Sequence, residues 1–422
     1  MTLLPFVRAD RPAARNRKSG TELPSIAAMT CVVFVACAAL TVTSPAQTFT
    51  LLDTFAGANG ALPFYQSLTP GPDGNFYGTT ARGGTDNDGT IFQVTPKGAL
   101  TNLYSFCPGS NCSTGAVPYG GLVLGSNGKF YGTTYENGAN GGGTVFEFTL
   151  PNTLTTIYNF CSESDCVDGG SPESTLVQGK DGDFYGTTVY GGKEDAGTVF
   201  KITPSGSLTT LYSFCSKTNC TDGDFPGGGL VQASNGDFYG VTGEGGTGNY
   251  GTAYEISSAG AFKTVHSFKY TDGLYPEGGL VQASDGNLYG VAYGGGKTDN
   301  GTVFKMTEAG VLTVIYNFCS KTYCTDGNYP AATLIQGKNG DLYGTTNIGG
   351  ADHVGTVFSL TTTGTLTTLH SFKGTDGQYP YSSLVQASNG TLYGLASYGG
   401  AKDDGIIFSL TLPAKSASAG TE

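Results

Sequence analysis

One motif recurs so evenly that the chain has to be a tandem repeat. Phe-Tyr-Gly or Leu-Tyr-Gly places its tyrosine at Tyr77, Tyr131, Tyr185, Tyr239, Tyr289, Tyr343 and Tyr393, at intervals of 54, 54, 54, 50, 54 and 50 residues. A second motif, Gly-Thr-Val-Phe and its variants, begins at Gly89, Gly143, Gly197, Gly251, Gly301, Gly355 and Gly405 with the same intervals. A repeat of this length is one supersecondary unit that buries its apolar face against the next copy.

Each copy reads as four short strands. In the third, Thr175 to Gln178 is strand a, Asp183 to Thr188 strand b, Gly197 to Thr203 strand c and Leu208 to Phe214 strand d. The a–b connection carries Asp-Gly or Asn-Gly in all seven copies, starting at Asp73, Asn127, Asp181, Asn235, Asp285, Asn339 and Asn389. That dipeptide predicts a two-residue hairpin turn with both residues at positive φ. Four antiparallel strands repeated seven times predict an all-β, seven-bladed β-propeller over 47–413. The ends predict how it closes. The last copy stops after strand c, at Leu412, whereas Phe49 to Phe55 aligns with strand d and has no strands before it. The N-terminal strand should therefore complete the last blade, which an open solenoid would not need. The 68 glycines fit the many turns, and 49 Tyr and Phe supply apolar burial without any Trp.

Residues 1–46 read as a secretory signal peptide: Arg8, Arg11, Arg15, Arg17 and Lys18 precede an apolar run from Ile26 to about Val42, then Ser44-Pro45-Ala46. The run is short for a membrane span, and no other stretch could cross a bilayer. Removing 1–46 leaves 16 basic and 31 acidic residues, a net charge of −15. That argues against a nucleic-acid partner. The expected product is a secreted monomer at the cell surface or outside the cell, with a short tail over 414–422.

Eight of the ten cysteines form four Cys-x4-Cys pairs in the loops between strand d and the next strand a: Cys107/Cys112, Cys161/Cys166, Cys215/Cys220 and Cys319/Cys324. The two 50-residue intervals fall where the pair is missing, so the cysteines and four extra residues come and go together. In an exported chain this predicts four local disulfides, each closing a loop excursion. A thiolate zinc site would have to draw ligands from separate blades.

In a propeller the d–a and b–c loops share one face. The b–c loops here are the most variable part of each repeat, and variable loops on a fixed scaffold are where function concentrates. They supply the candidate binding-face residues Asp86, Asp88, Glu136, Glu194, Asp195, Glu244, Tyr250, Asp299, Asp352, His353, Asp403 and Asp404. The same pattern also fits simple turns with solubilising charge. His266 and His370 stand where other d strands have tyrosine and read as packing substitutes. No His pair has metal spacing and no nucleophile signature is present. No cofactor is expected, although Asp-rich loops could hold calcium.

The unit Gly-Gly-Leu-Val-Gln-Ala-Ser-Asp-Gly-Asn-Leu-Tyr-Gly (278–290), followed by Tyr-Gly-Gly-Gly (293–296) and Gly-Thr-Val-Phe-Lys-Met (301–306), resembles the GloVer tandem repeat. The resemblance covers about 50–412 and implies an exported bacterial repeat protein of the extracellular or envelope space. It supplies no catalytic residues. It differs in one respect: that family often carries a C-terminal anchor, whereas only Pro413 to Glu422 follows here, without a hydrophobic anchor segment. The expectation is a non-enzymatic binding or scaffolding module for a polysaccharide or protein ligand. The alternatives are an extracellular carbohydrate-active enzyme, hydrolase or lyase, with acidic residues on the loop face, and a purely structural envelope protein.

Overall fold

A computed structural model describes residues 47–109 and 112–413. The segment expected to be a signal peptide, 1–46, with Cys31 and Cys37, and the tail 414–422 lie outside the described residues. The repeats form seven four-stranded antiparallel sheets. In the third blade the strands are Val177–Gln178, Phe184–Thr188, Thr198–Ile202 and Leu208–Ser213, hydrogen-bonded in that order. Strand a is shorter than its apolar pattern suggests, because the chain leaves its own sheet before Val177. The strand-b threonine of one blade instead donates to the inner segment of the next: Thr79 to Gly120 O at 3.0 Å and Thr187 to Gly228 O at 3.4 Å.

The a–b hairpin differs from its two-residue prediction. Gly179 N donates to Asp183 O and Gly182 N to Gly179 O, so the loop is Lys180-Asp181-Gly182. Only the glycine is left-handed, with φ 87°, as in a type I turn closed by a glycine bulge. The aspartate is selected for its side chain, which accepts Asp183 N at 3.3 Å and the Tyr185 hydroxyl at 2.6 Å.

The cysteine loops carry a local feature within the all-β architecture: Cys166, Cys220 and Cys324 do not lie in plain loop. Each is the last residue of a single 3₁₀ turn, Ser164–Cys166, Thr218–Cys220 and Thr322–Cys324. The reason is reach. Bringing two Cα atoms five residues apart to 4.0 Å leaves room only for a tight reversal. A hydrogen bond three residues back closes it: Cys166 N donates to Glu163 O at 3.2 Å, and Cys220 N and Cys324 N donate to Lys217 O and Lys321 O at 3.0 Å. The turn is distorted, because Asp165, Asn219 and Tyr323 and the cysteines after them are left-handed, with φ from 48° to 61°. Cys-x4-Cys spacing alone does not show this local helix.

Neighbouring blades share a core. Tyr185 packs on Phe238 with ring centres 4.0 Å apart, Tyr131 on Phe184 at 4.1 Å and Tyr77 on Phe130 at 4.5 Å. The ring is continuous across its seam, where Phe76 meets Tyr393 at 4.4 Å. Strand b needs its glycine because a Cβ on Gly186 would lie 2.7 Å from both Leu176 and the Phe200 ring. Closure follows the sequence expectation. Thr48–Thr54 pairs antiparallel with Ile406–Thr411, from Thr48 opposite Thr411 to Thr54 opposite Ile406, with a bulge between Leu51 and Asp53. The last blade is thus built from both ends of the described chain.

Candidate functional site

The loop face is assembled by a device repeated in every blade. The residue before a proline normally adopts extended backbone. Here Leu62, Val117, Ser171, Phe225, Tyr275, Tyr329 and Tyr379, each followed by proline, all have φ between 52° and 59°. Two hydrogen bonds hold this conformation. Val117, for example, donates to Asp88 O of the preceding blade at 2.8 Å and accepts from Tyr135 N at 3.0 Å. Strain that recurs and is pinned by neighbours marks a built site. Its effect is to turn the chain inward, so that the position after the proline faces the propeller axis.

Those axial positions hold Tyr119, Glu173, Gly227, Glu277, Ala331 and Tyr381. The first blade has one extra residue after Pro63, and Tyr65 takes the corresponding place. Their interactions span the ring. Tyr65 packs against Tyr381 at 5.5 Å and Tyr119 at 6.5 Å, and its hydroxyl is acted on by both Glu277 and Glu173. Only groups close to the axis can meet partners from so many blades. A second tier comes from the ends of the b strands. Tyr135 lies 5.0 Å from Tyr119, Tyr293 stacks on Tyr329 at 4.9 Å, and Asn347 Nδ2 donates to the Tyr381 hydroxyl at 2.6 Å.

Two carboxyls occupy this tyrosine-lined funnel. Each keeps some surface open to solvent yet is enclosed by protein on most sides. Burial pushes both Glu173 and Glu277 up to about 7, and Glu173 is also repelled by Glu277. Among the described residues, no cationic side chain acts on either. Gly227 leaves room beside Glu173, whose Oε2 would be 3.5 Å from a Cβ added there. The pair can accept hydrogen bonds, and both glutamates act on the Tyr65 hydroxyl.

The residues singled out from sequence lie elsewhere on the same face. Asp195 and Asp403 are left-handed turn residues whose Oδ1 atoms accept Gly191 N and Gly399 N, both at 2.8 Å. Asp86 accepts Gly109 N at 2.9 Å. Asp88 and Asp404 lend backbone carbonyls to Val117 and Leu62. Asp299 accepts the Tyr270 hydroxyl, and Tyr250 lies 6.1 Å from the Tyr270 ring. Glu136 and Glu244 bridge through their backbones to Ala116 and Asp224. Glu194, Asp352 and His353 are exposed. None of the twelve acts on Glu173 or Glu277. The axial residues were passed over because their carriers look like packing and turn residues. The signal available was the one position of the Pro-x-x-x-Leu segment that takes large or charged side chains, Tyr119, Glu173, Gly227, Glu277, Ala331 and Tyr381, where the next two hold only Gly, Ala, Ser or Thr.

All four cysteine pairs form disulfides, with Cα separations of 4.0 to 4.3 Å. In all four the second cysteine also joins the d–a loop to the b–c loop through its backbone, Cys112 O accepting Gly115 N and Gly138 N at 2.9 Å. Cys166 O accepts Gly169 N at 2.8 Å and Gly192 N at 2.9 Å. Cys220 O accepts Gly223 N and Gly246 N, and Cys324 O accepts Gly327 N and Gly350 N, all at 2.9 Å. Beneath the disulfides that end at Cys166, Cys220 and Cys324 an aspartate fastens the loop. Asp222 accepts the Tyr212 hydroxyl at 2.7 Å and the Ser216 backbone and hydroxyl at 2.9 and 2.8 Å; Asp168 and Asp326 repeat the arrangement. In two of the three blades without a disulfide, histidine replaces that tyrosine. His266 pairs with Asp272 at 3.1 Å and His370 with Asp376 at 3.2 Å, so these histidines are loop fasteners as well as packing groups. Among the described residues, one group of three metal-type ligands gathers, Asp88 with Cys107 and Cys112, and its sulfurs are bonded to each other.

No curated protein matches this chain. Similar solved structures include a provisionally named 6-phosphogluconolactonase from Bacteroides uniformis, 14% identical over 75% of this chain and 87% of that one, with a TM-score of 0.50. Another, of the same provisional name from Bacteroides fragilis, is 16% identical over the same shares, with a TM-score of 0.47. At such identities the likeness is one of fold. The profile of the Gloeobacter/Verrucomicrobia repeat, by contrast, matches residues 37–242, 108–284, 164–325 and 226–419. Together these spans cover every blade, and the chain belongs to that repeat family.

Proposed function

We propose that this propeller is an exported binding module whose ligand, a polysaccharide, enters the axial funnel and rests on the tyrosines around it. The carrying observation is the axial ring itself: tyrosines and two partly buried carboxyls drawn from separate blades and directed to one point. Further exposed tyrosines on the loop face, Tyr190, Tyr270, Tyr275 and Tyr323, extend the aromatic surface outward. Aromatic faces with hydrogen-bonding groups between them suit sugar rings. The disulfides fit an oxidising, extracellular setting.

The paired carboxyls favour a second reading, glycoside hydrolysis, which needs one protonated and one ionised carboxyl. Environments that divide those roles push the two proton affinities apart. Here burial raises both glutamates and Glu277 also repels Glu173, so product release is what separates binding from turnover. The test is a glycan and envelope-polysaccharide panel against residues 47–422, with and without calcium, following binding and product release together. Binding that falls at least tenfold in Tyr65→Ala/Tyr381→Ala supports the module. Released oligosaccharides, lost in Glu173→Gln, would replace it with the hydrolase. Silence across the panel would favour a structural role.

A further inference from the structure

The a–b hairpins repeat one set of contacts, and the last blade lacks two of them. In five blades a strand-a glutamine (Gln178, Gln232, Gln282, Gln336 or Gln386) accepts a backbone N–H from the turn of the preceding blade. Gln178 Oε1 takes Ser126 N at 2.8 Å, and Gln386 Oε1 takes Lys338 N at 2.9 Å. The first blade has Pro70 in the glutamine position and Pro72 in its own turn. Pro72 has no N–H to satisfy, but Pro70 leaves Ser388 N of the last blade without that acceptor. Lys338 Nζ, on a flexible stem, reaches Ser388 O instead.

The asparagine beside Ser388 is also the least held of its kind. Four of these hairpins carry Asn-Gly. Asn127, Asn235 and Asn339 each donate Nδ2 to the strand-b tyrosine hydroxyl, at 2.8, 3.0 and 2.8 Å. Among the described residues no such bond joins Asn389 to Tyr393, whose hydroxyl is raised by burial alone. Asn389 keeps only what all four share: its Oδ1 accepts Thr391 N at 3.0 Å, and Gly390 N donates to Ala387 O at 3.0 Å. Other Asn-Gly pairs, beginning at Asn59, Asn137, Asn140 and Asn300, lie in loops of different geometry.

We propose that Asn389 is a modification site, at which the chain's own backbone converts asparagine to aspartate and isoaspartate faster than at the three equivalent hairpins. Gly390 N bonds to Asn389 Cγ, the Cγ–Nδ2 bond breaks, and Nδ2 leaves as ammonia with the proton that Gly390 N gives up. Water then opens the cyclic imide at one carbonyl or the other, so asparagine and water give the acid and ammonia. Asparagine is a thermolabile residue, and a following glycine puts no side chain in the way of the attacking nitrogen. For attack, Gly390 N must release Ala387 O while Asn389 Cγ swings towards it, which is a local opening of the turn. In the other three turns the bond from Nδ2 to tyrosine and the bond from the turn to glutamine both oppose that motion. The aspartate product is the residue that the first, third and fifth blades already use, where it accepts the tyrosine hydroxyl at 2.9, 2.6 and 2.8 Å. Conversion to aspartate therefore supplies an acceptor for Tyr393, whereas isoaspartate adds a carbon to the main chain and disturbs the hairpin register.

The experiment follows deamidation of the purified protein at pH 8 and 37 °C by peptide mapping that separates aspartate from isoaspartate. Each rate is divided by the rate at the same site in urea-unfolded protein. Asn389 should convert about tenfold faster than each of Asn127, Asn235 and Asn339, as the loss of two hydrogen bonds implies. Pro70→Gln, which restores the missing acceptor from the neighbouring blade, should slow Asn389 about fivefold and leave the other three unchanged. Tyr343→Phe, which removes the acceptor of Asn339 Nδ2, should speed Asn339 about fivefold. Equal rates at the four sites, a faster rate at any of the other three, or rates that neither substitution moves would overturn the inference.

Discussion

Replacing Glu173 with glutamine should make the protein more stable, and by an amount that depends on pH in a defined direction. Below pH 4.5 the carboxyl is protonated in folded and unfolded chains alike, so the substitution changes little. Between 4.5 and about 7 the unfolded chain ionises while the folded funnel resists, so native stability falls as pH rises, and the loss is complete above 7. Each tenfold change in proton affinity is ~1.4 kcal/mol, which makes the full displacement worth about 3 kcal/mol. Solvent on the open side of the carboxyl screens it, leaving roughly 2 kcal/mol. With an unfolding entropy of ~2 cal/mol/K per residue, that is a Tm gap of about 3 °C for a chain of this size. The assay is scanning calorimetry of wild type and Glu173→Gln at pH 4.5, 6, 7 and 8. The comparison uses the gap between the two proteins because Asp73, Asp181, Asp222 and Asp285, whose carboxyls are held low by hydrogen bonds, give the whole protein an opposing slope. A gap that stays constant from pH 4.5 to 8, or a variant less stable at pH 8, would refute the account of the funnel as a desolvated place.

Three other outcomes can be measured on the same protein. Tyr254 is fully buried with its hydroxyl unpaired, at a position where the other six blades have phenylalanine; Tyr254→Phe should stabilise by about 1 kcal/mol, read from the urea midpoint, and a loss would reveal a partner for that hydroxyl. Cys161→Ser/Cys166→Ser opens a loop of six residues and should cost about 2 kcal/mol by the chain-entropy relation, with no change when the protein is already reduced. Deleting residues 47–55 uncovers the edge at Ile406–Thr411, with Ile407, Phe408 and Leu410 beside it, and should convert a single sharp thermal transition into a broad, aggregating one; added peptide 47–55 should restore it.

The architecture was legible because its signals are redundant. Seven copies of a glycine pinned between Leu176 and Phe200, or their equivalents, report the same packing seven times, and the unmatched ends report closure. The hairpin was misread because Asp181 and Gly182 do different work. The glycine alone takes the left-handed conformation, while the aspartate is kept for the Tyr185 hydroxyl, a contact four residues away that dipeptide statistics do not describe. The pairing of the cysteines was legible from their spacing, but the 3₁₀ turns that end at Cys166, Cys220 and Cys324 were not. Those turns are imposed by the crosslink rather than by helix-forming residues. The funnel was missed for a different reason. Glu173 and Glu277 sit two repeats apart, and nothing local to either shows that closing the ring brings their charges within reach. The variable loop tips drew attention by their composition, yet Asp195 and Asp403 serve largely to terminate their own turns. In a closed ring, axial position is a property of the whole circuit, whereas loop variability is local.

The closing pair, Thr48 to Thr54 against Ile406 to Thr411, also sets a timetable. The strand that finishes the seventh blade is made before every other described strand, and its partner after all of them. Until that partner arrives the early strand has no sheet to join, and each blade that forms in the meantime offers its own strand d, such as Leu208–Ser213 or Leu366–Ser371, in nearly the same sequence. Two unfinished molecules could therefore exchange strands, as multidomain and repeat proteins do when they misassemble. The early strand shares the bulge of those rivals and differs from them at Asp53, where the others carry tyrosine or histidine. That residue distinguishes it as the strand that belongs to the last blade. Order of arrival, and not only final stability, would then decide how much of the protein closes on itself.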